Sequence, residues 1–316
     1  MNTMKIVVLD DYQDVARSLA DWDSLGAEVE VITSYVGDHD ELVRRLAGAE
    51  VVVAMRERTR FTAEVLERLP DLKLLVSTGR RNAAIDLKAT ERLGITVCGT
   101  GYLPHPTAEH TWALILAAQR HLETELAAMR DGAWQSTVGI GLHDKTLGLL
   151  GLGNLGQQVA RIGQAFGMET IAWSQNLTAE RAAEHGVTAV SKEDLFARAD
   201  VLSVHLVLSK RTRGLVGAAE LAAMKPGALL VNTSRGPIID EQALLDALRE
   251  RRIRAALDVY DIEPLPADHP LRAMRNATLT PHLGYVTREV YEIFYRDAVE
   301  DIAAWRDGNP VRVMTL

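Results

Sequence analysis

The stretch KTLGLLGLGNLG, residues 145–156, decides the fold because it joins an apolar run to a regularly spaced set of glycines. Residues 146–150 have the composition of a buried strand, and a helical pattern, 157–166, follows the last glycine. Strand, glycine-rich turn and helix in this order are typical of the phosphate-binding turn of a dinucleotide-binding domain. The stretch therefore predicts such a domain in the middle of the chain.

Each glycine of this turn has a separate physical task. Gly151 allows the tight turn, Gly153 lets a pyrophosphate approach the backbone, and Gly156 permits close packing of the helix. The N–H groups at the start of the helix, where Asn154 and Leu155 stand, would then face the phosphates. We expect all five residues to contact a dinucleotide.

The residues after the next strand bear on which dinucleotide binds. An NAD site usually carries Asp or Glu some 20 residues beyond the glycines, where the acid holds the adenosine ribose. This chain has Ser174, Gln175 and Asn176 there, and the first nearby arginine is Arg181. Ser174 and Gln175 are candidate ribose contacts. The missing carboxylate admits NADP, but no obvious arginine clamp for its phosphate replaces it, so NAD and NADP both stay open.

Apolar runs alternate with helical patterns along the chain, which predicts two α/β domains with parallel sheets. The predicted strands lie near 5–9, 29–32, 50–53, 73–77 and 95–98, and then near 146–150, 169–173, 200–206, 228–233, 254–259 and 277–280. One long helix from Pro104 to about Met129 is expected to connect the two series. A last apolar run, 311–314, has no strand partner nearby, so the C-terminus should return to the first domain and leave a cleft between the two. The expected domains are residues 1–100 with 288–316 and residues 101–287.

Composition argues against several classes of function. The chain has 316 residues, 47% of them hydrophobic, and a formal charge of −8 with both signs interspersed, so neither nucleic acid nor a membrane is an expected partner. The longest uncharged apolar run, 112–118, is too short to span a membrane, and the N-terminus reads as a strand and not as a signal peptide, which favours the cytoplasm. The single cysteine, Cys98, reads as a buried thiol, and no cluster of His and Cys predicts a metal site.

Arg235, Glu263 and His282 each come shortly after one of the last three predicted strands. Because open α/β sheets bind ligands at the carboxyl ends of their strands, we expect these residues to converge at one edge. An arginine fork can hold a carboxylate, and a histidine beside an acid can donate a proton. Next to a nicotinamide, this set predicts the reduction of a 2-keto acid.

The chain resembles the D-isomer-specific 2-hydroxyacid dehydrogenase family from end to end. The resemblance rests on motifs in the family's order and spacing: GLGNLG at 151–156, HLVL at 205–208, TRGL at 212–215, MKPGALLVNTSRGPIIDEQAL at 224–244, ALDVYDIEPLP at 256–266 and TPHLG at 280–284. It implies two doubly wound parallel-sheet domains, a discontinuous flavodoxin-like substrate domain and a Rossmann cofactor domain. It also implies an NAD(P)-dependent enzyme that interconverts a 2-keto acid and a D-2-hydroxy acid, with glyoxylate-, hydroxypyruvate- or pyruvate-like substrates.

The resemblance implies a role for several residues of the second domain. Arg235 would bind the substrate carboxylate and keto oxygen. His282 would be the general acid/base, and Glu263 would hydrogen-bond His282 and favour its protonated form. Asp258 resembles a family carboxylate near the nicotinamide amide. Further cofactor contacts would come from Thr107, His205 and Thr233.

In the first domain, the resemblance implies that backbone N–H groups around Ser77, Thr78, Gly79 and Arg80 meet the substrate carboxylate. Arg80 and Arg81 stand where relatives often have small or apolar residues. This departure indicates either a larger or more anionic substrate or merely two solvated arginines.

The resemblance further implies a homodimer, because the segment from Thr107 onward resembles the start of the family's interdomain helix, which contributes to a dimer interface. The apolar stretch from Trp112 to Leu116 is broader than one helix face and should be buried by a partner or by the core. A second class of function stays open, namely a dinucleotide-sensing regulator similar to the corepressors that share this fold. Such a regulator would need a peptide-docking surface, for which the sequence shows no feature.

Overall fold

The computed structural model describes residues 3–315 of the chain. These residues divide into two compact units. Unit 1 comprises the described residues up to Leu103 together with those from Thr287 onward, and unit 2 comprises Pro104–Val286. No helix in residues 3–315 is long and apolar enough to cross a membrane.

The strands and helices alternate in both units. The strands are β1 (Lys5–Val8), β2 (Glu28–Val31), β3 (Val51–Ala54), β4 (Leu74–Ser77), β5 (Thr96–Gly99), β6 (Thr146–Leu150), β7 (Glu169–Trp173), β8 (Thr188–Ala189), β9 (Val201–Val204), β10 (Leu229–Asn232), β11 (Arg254–Leu257) and β12 (Ala277–Leu279). The α-helices are α1 (Ala16–Leu19), α2 (His39–Arg45), α3 (Ala63–Glu67), α4 (Leu87–Leu93), α5 (His105–Gln119), α6 (Leu122–Arg130), α7 (Asn154–Ala165), α8 (Ala179–Ala183), α9 (Lys192–Arg198), α10 (Ala218–Ala223), α11 (Glu241–Arg249) and α12 (Arg288–Arg306). Short 3-10 helices span Trp22–Leu25, Gly236–Ile238 and Pro270–Ala273.

Unit 1 contains a parallel sheet of five strands in the order β2-β1-β3-β4-β5, which is the flavodoxin-like order. Every residue of β3 and β4 is buried, as expected for central strands covered on both faces. Near the C-terminus, Val313 pairs antiparallel with Cys98 of β5. Burial raises the pKa of the Cys98 thiol to about 12, with a further contribution from the Asp301 carboxylate, so the thiol is un-ionised near pH 7.

Unit 2 contains a parallel sheet of seven strands in the order β12-β11-β10-β9-β6-β7-β8. Read from β8, the first six strands have the Rossmann order, with β12 added as a seventh. Alternate residues of β10 enter different clusters of buried apolar side chains, Leu230 one cluster and Leu229 and Val231 the other. The sheet therefore has a core on each face, which confirms the predicted doubly wound class.

The sequence pattern missed strand β8. This strand has only two residues, Thr188 and Ala189, which pair with Ile171 and Ala172 of β7. A two-residue strand at the edge of a sheet is too short to show the hydrophobic periodicity from which strands are predicted.

The single helix predicted from Pro104 to about Met129 is wrong, because the structure divides it into α5 and α6. The break lies at His121, whose φ of 50° is in the left-handed region. Neither glycine nor proline marks the break in the sequence, so the usual signal for a helix end is missing. Helix α5 buries Trp112, Leu114 and Ile115 in the core of unit 2, so its apolar stretch needs no partner chain.

Candidate active site

Strands β10, β11 and β12 lie side by side in unit 2 and end at Asn232, Leu257 and Leu279. They run parallel and in register, so the segments that follow them begin at the same edge of the sheet. These segments carry the three residues predicted to be catalytic.

Two of these residues, His282 and Glu263, form a hydrogen-bonded pair. The distance from Nδ1 of His282 to Oε2 of Glu263 is 2.5 Å. The other carboxylate oxygen of Glu263 accepts the backbone N–H of Tyr260 at 2.9 Å, which fixes the carboxylate in place. The side chains of His282 and Glu263 keep 20% and 27% of their exposure, so a small molecule can reach the pair. Because Nδ1 donates to the carboxylate, Nε2 is the ring nitrogen that is available for proton transfer.

The backbone at His282 lies in the left-handed region, with a φ of 55°. A non-glycine residue is rarely found there, and its surroundings have to hold it. The holding group is Asp258, whose two carboxylate oxygens accept the next two backbone N–H groups, Leu283 at 2.7 Å and Gly284 at 2.8 Å. The Asp258 carboxylate thereby fixes the turn that carries His282.

Asp258 is buried and receives two further hydrogen bonds. The hydroxyl of Thr280 donates to Oδ1 at 2.6 Å, and Nε2 of His110 lies 3.2 Å from the same oxygen. Burial on its own would raise the pKa of Asp258, but the hydrogen bonds from His110 and Thr280 outweigh it and hold the pKa below its usual value. Since Oδ1 is committed to protein donors, the contact with a nicotinamide amide predicted for Asp258 would have to use Oδ2.

Arg235 follows β10 in extended backbone conformation and is half-buried. Its Nη1 donates to the carbonyl oxygen of Ser234 at 2.7 Å, and the side-chain amide of Asn232 donates to the carbonyl oxygen of Arg235 at 2.9 Å. The next residue must be glycine, because a Cβ on Gly236 would lie 2.2 Å from the carbonyl carbon of Tyr260. The strand therefore ends in a tightly packed turn that fixes the backbone at Arg235.

The glycine turn of unit 2 fits a pyrophosphate. Gly151 has a φ of 105°, and a Cβ on it would lie 2.7 Å from the carbonyl oxygen of His205. A Cβ on Gly156 would lie 2.3 Å from the carbonyl oxygen of Gly151, whereas no atom of the described residues comes within 4 Å of that position on Gly153. Helix α7 begins at Asn154 without a side-chain cap, so its first N–H groups are available to an anion.

His205, the first residue after β9, also fits a bound dinucleotide. Both ring nitrogens are buried and have no hydrogen-bond partner within residues 3–315. Burial lowers the pKa of His205 to about 4, so the ring is neutral near pH 7. Buried polar atoms normally have partners, and a ligand beside the glycine turn would supply them.

Two other predicted cofactor contacts, Thr107 and Thr233, use their hydroxyls inside the protein. Oγ1 of Thr107 donates to the carbonyl oxygen of Gly284 at 3.0 Å, and Oγ1 of Thr233 lies 2.8 Å from Oγ1 of Thr111. Both residues therefore tie α5 to the edge of the sheet. Their predicted contact with a cofactor stays a prediction.

The predicted ribose position follows β7 directly. Ser174 is half-buried there, and Gln175 and Asn176 are exposed. Arg181, the first arginine beyond them, is exposed on α8. The local structure therefore adds neither an acid for the ribose nor an evident cation for a 2′-phosphate.

At the carboxyl edge of the unit 1 sheet, the predicted substrate loop follows Ser77, the buried last residue of β4. The backbone N–H of Thr78 donates to the carbonyl oxygen of Ala54 at 2.9 Å, and that of Gly79 donates to the hydroxyl of Thr100 at 2.7 Å. These two N–H groups are used within the protein. The predicted anion nest therefore cannot rely on Thr78 and Gly79 for its donors in this conformation.

The match to a known family extends over most of unit 2. The sequence model of the D-isomer specific 2-hydroxyacid dehydrogenase, NAD binding domain, matches residues 112–284. The chain belongs to the D-isomer-specific 2-hydroxyacid dehydrogenase family. The match includes the glycine turn, Arg235, Glu263 and His282, so the NAD(P)-binding domain of the family is the one that carries the paired histidine and acid.

Individual relatives of this dehydrogenase family differ in the reaction for which they are named. The chain is 42% identical to a glyoxylate reductase of Aeropyrum pernix over 79% of this chain and 78% of the relative. It is 37% identical to a D-3-phosphoglycerate dehydrogenase of Archaeoglobus fulgidus over 91% of this chain, but spans only 55% of that relative's length. A crystal structure of a phosphoglycerate oxidoreductase from Vibrio cholerae superposes with a TM-score of 0.93 at 41% identity, covering 96% of this chain and 99% of that one.

Sequence reasoning missed Arg56, which stands two residues beyond β3 in this member of the family. Its φ is 52°, its N–H donates to Oγ1 of Thr78 at 2.8 Å, and its carbonyl oxygen accepts the amide of Asn82 at 2.6 Å. A Cβ on Gly79 would lie 1.9 Å from its Nη1, and the Tyr102 ring centroid is 5.6 Å from its guanidinium. The signal was available, because a cation directly after a buried strand is the pattern that singled out Arg235.

Arg80, the remaining predicted substrate contact, is exposed. Together with Arg81 and Arg312 it lines a cavity in unit 1 of about 680 Å³. The side chain of Arg312 is hydrogen-bonded to Asp301 at 2.9 Å, which leaves Arg80 and Arg81 as the cations of this cavity that could meet a ligand.

Proposed function

We propose that this chain reduces a 2-keto acid to a D-2-hydroxy acid with NADH or NADPH, and that His282 is the proton donor. The observation that carries the proposal is the 2.5 Å contact between Nδ1 of His282 and Glu263, at the same sheet edge as Arg235. A histidine bound to an acid through one nitrogen and accessible through the other is suited to deliver a proton to a keto oxygen.

The bound nicotinamide would supply the hydride that reaches C2 of the keto acid. The Nε2 proton of His282 would pass to the keto oxygen, which becomes the hydroxyl, and the ring would take a new proton from solvent. Glu263 would stabilise the ring while it is cationic and would hold the tautomer with Nδ1 protonated. Arg235 would hold the substrate carboxylate with its planar pair of donors and orient the carbonyl carbon.

The small keto acids glyoxylate, hydroxypyruvate and pyruvate are the first candidate substrates. A keto acid with a second anionic group is the other candidate, and the observation in its favour is the set of cations at the carboxyl edge of unit 1, Arg56 and Arg80 with the adjacent Arg81. Relatives named for glyoxylate and for D-3-phosphoglycerate are consistent with either class.

The test is initial-rate kinetics at the nicotinamide absorbance band with glyoxylate, hydroxypyruvate, pyruvate and phosphohydroxypyruvate. His282→Asn should bind NADH as the wild type does and lose a factor of about 10² to 10⁴ in turnover. Tight NADH binding without turnover of any of these acids would instead favour the dinucleotide-sensing regulator. Undiminished turnover in His282→Asn would remove His282 from the mechanism.

We also propose a homodimer, with an interface on α6 and the segment 133–140 and not on α5. Helix α6 has no buried residue, and the exposed apolar side chains of this surface are Leu126, Met129, Trp134 and Val138. The carboxylate of Glu125 accepts hydrogen bonds from the hydroxyls of Ser136, at 2.9 Å, and Thr137, at 2.5 Å, which holds the segment to the helix. Several large exposed apolar side chains on one helix and on the segment bound to it favour an interface, and a second copy of the chain presents the matching one.

Light scattering tests the dimer. The wild type should have twice the chain mass of 34.7 kDa, and Trp134→Glu should be monomeric. Leu93→Glu, at a 40% exposed leucine of unit 1, is the matched control and should stay dimeric. A monomeric wild type would contradict the proposal.

A further inference from the structure

Helix α5 brings a second histidine, His110, next to the turn that carries His282. Nε2 of His110 lies 3.2 Å from Oδ1 of Asp258 and 3.0 Å from Oγ1 of Thr280. Its side chain is 17% exposed, so the contact is largely shielded from water. Nothing in the sequence pattern singled out His110, because its partners are more than a hundred residues away along the chain.

The hydrogen-bond pattern assigns the proton on this nitrogen. The hydroxyl of Thr280 donates to Asp258 at 2.6 Å, so the lone pairs of Thr280 are what remains for His110. Both atoms beside Nε2 of His110 are therefore acceptors. Nε2 must carry a hydrogen, and His110 is a donor to the Asp258–Thr280 pair whether its ring is neutral or charged.

Asp258 connects His110 to the turn that carries His282. Its oxygens accept the backbone N–H groups of Leu283 and Gly284, the two residues that follow His282. The carbonyl oxygen of Gly284 accepts the hydroxyl of Thr107, one helical turn before His110 on α5. One face of α5 thus holds the turn at two points, at the Asp258 carboxylate through His110 and at Gly284 through Thr107.

A strained backbone needs such support. The φ of 55° at His282 costs free energy and persists only where surrounding contacts over-determine it. Removing one donor leaves a buried carboxylate partly unsatisfied, so the carboxylate can shift toward water and the N–H groups bound to it shift with it.

We propose that His110 is a positioning residue for His282, acting through Asp258 and Thr280. The inference rests on the proposed function, since it assigns His110 a role in placing the proton donor of that reaction. His110 itself donates only to Asp258 and Thr280 and takes no part in proton transfer. Its contribution is the fixed position of the His282 ring, and misplacement of a catalytic group by about 1 Å costs up to roughly 10²-fold in rate.

The test compares His110→Leu with His110→Gln, whose side-chain amide can put an N–H near the position of Nε2. His110→Leu should lower kcat about tenfold or more, with KM for the keto acid and NADH affinity within twofold of wild type. His110→Gln should recover most of kcat. His105→Leu makes the same change at an exposed position of the same helix and should match wild type.

Thr280→Val provides a second route that leaves α5 intact, because it removes another donor of Asp258. It should also lower kcat more than it changes KM, which keeps the proposal testable if His110→Leu fails to fold. A wild-type kcat in His110→Leu, or a glutamine variant as slow as the leucine variant, would overturn the positioning role. Loss of turnover in His282→Asn alongside an unaffected His110→Leu would overturn this inference alone. Full turnover in His282→Asn would remove His282 as the proton donor, and a wild type that turns over no keto acid would remove the proposed function itself.

Discussion

The carboxyl edges of the two sheets each hold a charged or titratable residue in a left-handed backbone conformation. In unit 2 this is true of His282, with a φ of 55°, and in unit 1 of Asp10, with a φ of 60°, and of Arg56, with a φ of 52°. His282 and Arg56 follow their strands, β12 and β3, by three and two residues. Non-glycine residues in this region are uncommon, and when they occur they cluster at functional sites.

The two residues differ in what holds them. The turn at His282 is held by a buried carboxylate, Asp258, whereas the backbone of Arg56 is held by the neutral side chains of Thr78 and Asn82, with Glu57 3.9 Å from its guanidinium. A proton donor has to keep both its position and its charged partners, and a buried ionic network provides both. A permanently charged guanidinium needs only a position, which neutral hydrogen bonds supply. Substitutions around the His282 turn should therefore act on kcat, and those around Arg56 on KM.

Among substitutions of the residues around His282, the largest effect is expected from Glu263→Gln. Glutamine can still accept the N–H of Tyr260 but cannot stabilise a cationic His282, so kcat should fall by about 10²-fold or more while KM changes little. The matched control is Glu241→Gln, which alters a second histidine–glutamate pair of unit 2, with His269 at 3.3 Å. Steady-state kinetics checks both variants, and equal losses in the two would contradict a specific role for Glu263.

A pair of buried carboxylates extends the comparison between the units. Asp258 in unit 2 has donors on both oxygens, and its pKa lies below the usual value. Asp301 in unit 1 accepts Nε of Arg312 at 2.9 Å on Oδ1, but its Oδ2 has no partner within residues 3–315. Burial raises the pKa of Asp301 to about 6, and Arg312 offsets only part of that effect. The donors of Asp258 outweigh its burial, whereas burial and the neighbouring carboxylates Asp297 and Glu300 outweigh Arg312 at Asp301.

The second prediction follows from the sign of this shift. An unfolded aspartate titrates near its ordinary pKa of 3.8 and folded Asp301 near 6, so the folded state binds more protons in between. The contribution of Asp301 to the free energy of unfolding should therefore fall as pH rises from about 4 to about 6, by about 2 kcal/mol over this interval. Asp258 acts in the opposite direction, since its stabilisation is lost as pH falls through its lowered pKa.

Urea unfolding at pH 4.5 and pH 7 checks this prediction. Asp301→Asn should lose most of the decrease in stability between the two pH values, because asparagine does not titrate. Asp307→Asn, at an exposed position just beyond α12, is the control and should keep the wild-type dependence. Parallel pH dependences for wild type and Asp301→Asn would show that Asp301 titrates at its ordinary pKa.

The sequence was sufficient for the parts of the molecule that depend on local pattern. Alternating apolar runs predicted both sheets, and residues directly beyond strands predicted the edge at which Glu263 and His282 meet. The glycine turn was predicted because its three glycines lie between a strand and a helix, in the order that phosphate binding requires.

What the sequence could not predict depends on contacts distant in the chain. His110 meets Asp258 across 148 positions, and no local pattern reports such a contact. The backbone N–H groups of Thr78 and Gly79 already have acceptors in β3 and Thr100, and this depends on how the sheet folds. No glycine or proline in the sequence marks the helix break at His121.

The third prediction concerns unit 1 and has a smaller expected effect. In Gly79→Ala the new methyl group would lie 1.9 Å from Nη1 of Arg56, so the guanidinium must move. If Arg56 binds the keto acid, KM should rise about tenfold, the size of one charge-assisted hydrogen bond, with kcat within twofold. Gly94→Ala is the matched control, because Gly94 also has a positive φ, 70°, but no described atom within 4 Å of the new methyl. Initial-rate kinetics would contradict the prediction if both variants changed KM equally.

The smallest effect is expected at Ser174, a position with few surrounding hydrogen bonds. Its carbonyl oxygen accepts the N–H of Leu177 at 3.0 Å, and this backbone contact survives replacement of the side chain. Ser174→Asp should lower the ratio of NADPH to NADH rates about fivefold, because a carboxylate accepts from ribose hydroxyls and repels a 2′-phosphate. Ser191→Asp, at the N-cap of α9, adds the same charge to unit 2 while aspartate still caps the helix, and should leave the ratio unchanged. An unchanged ratio in Ser174→Asp would mean that Ser174 does not occupy the ribose position. The contact with the adenosine ribose would then have to come from Gln175 or a later residue.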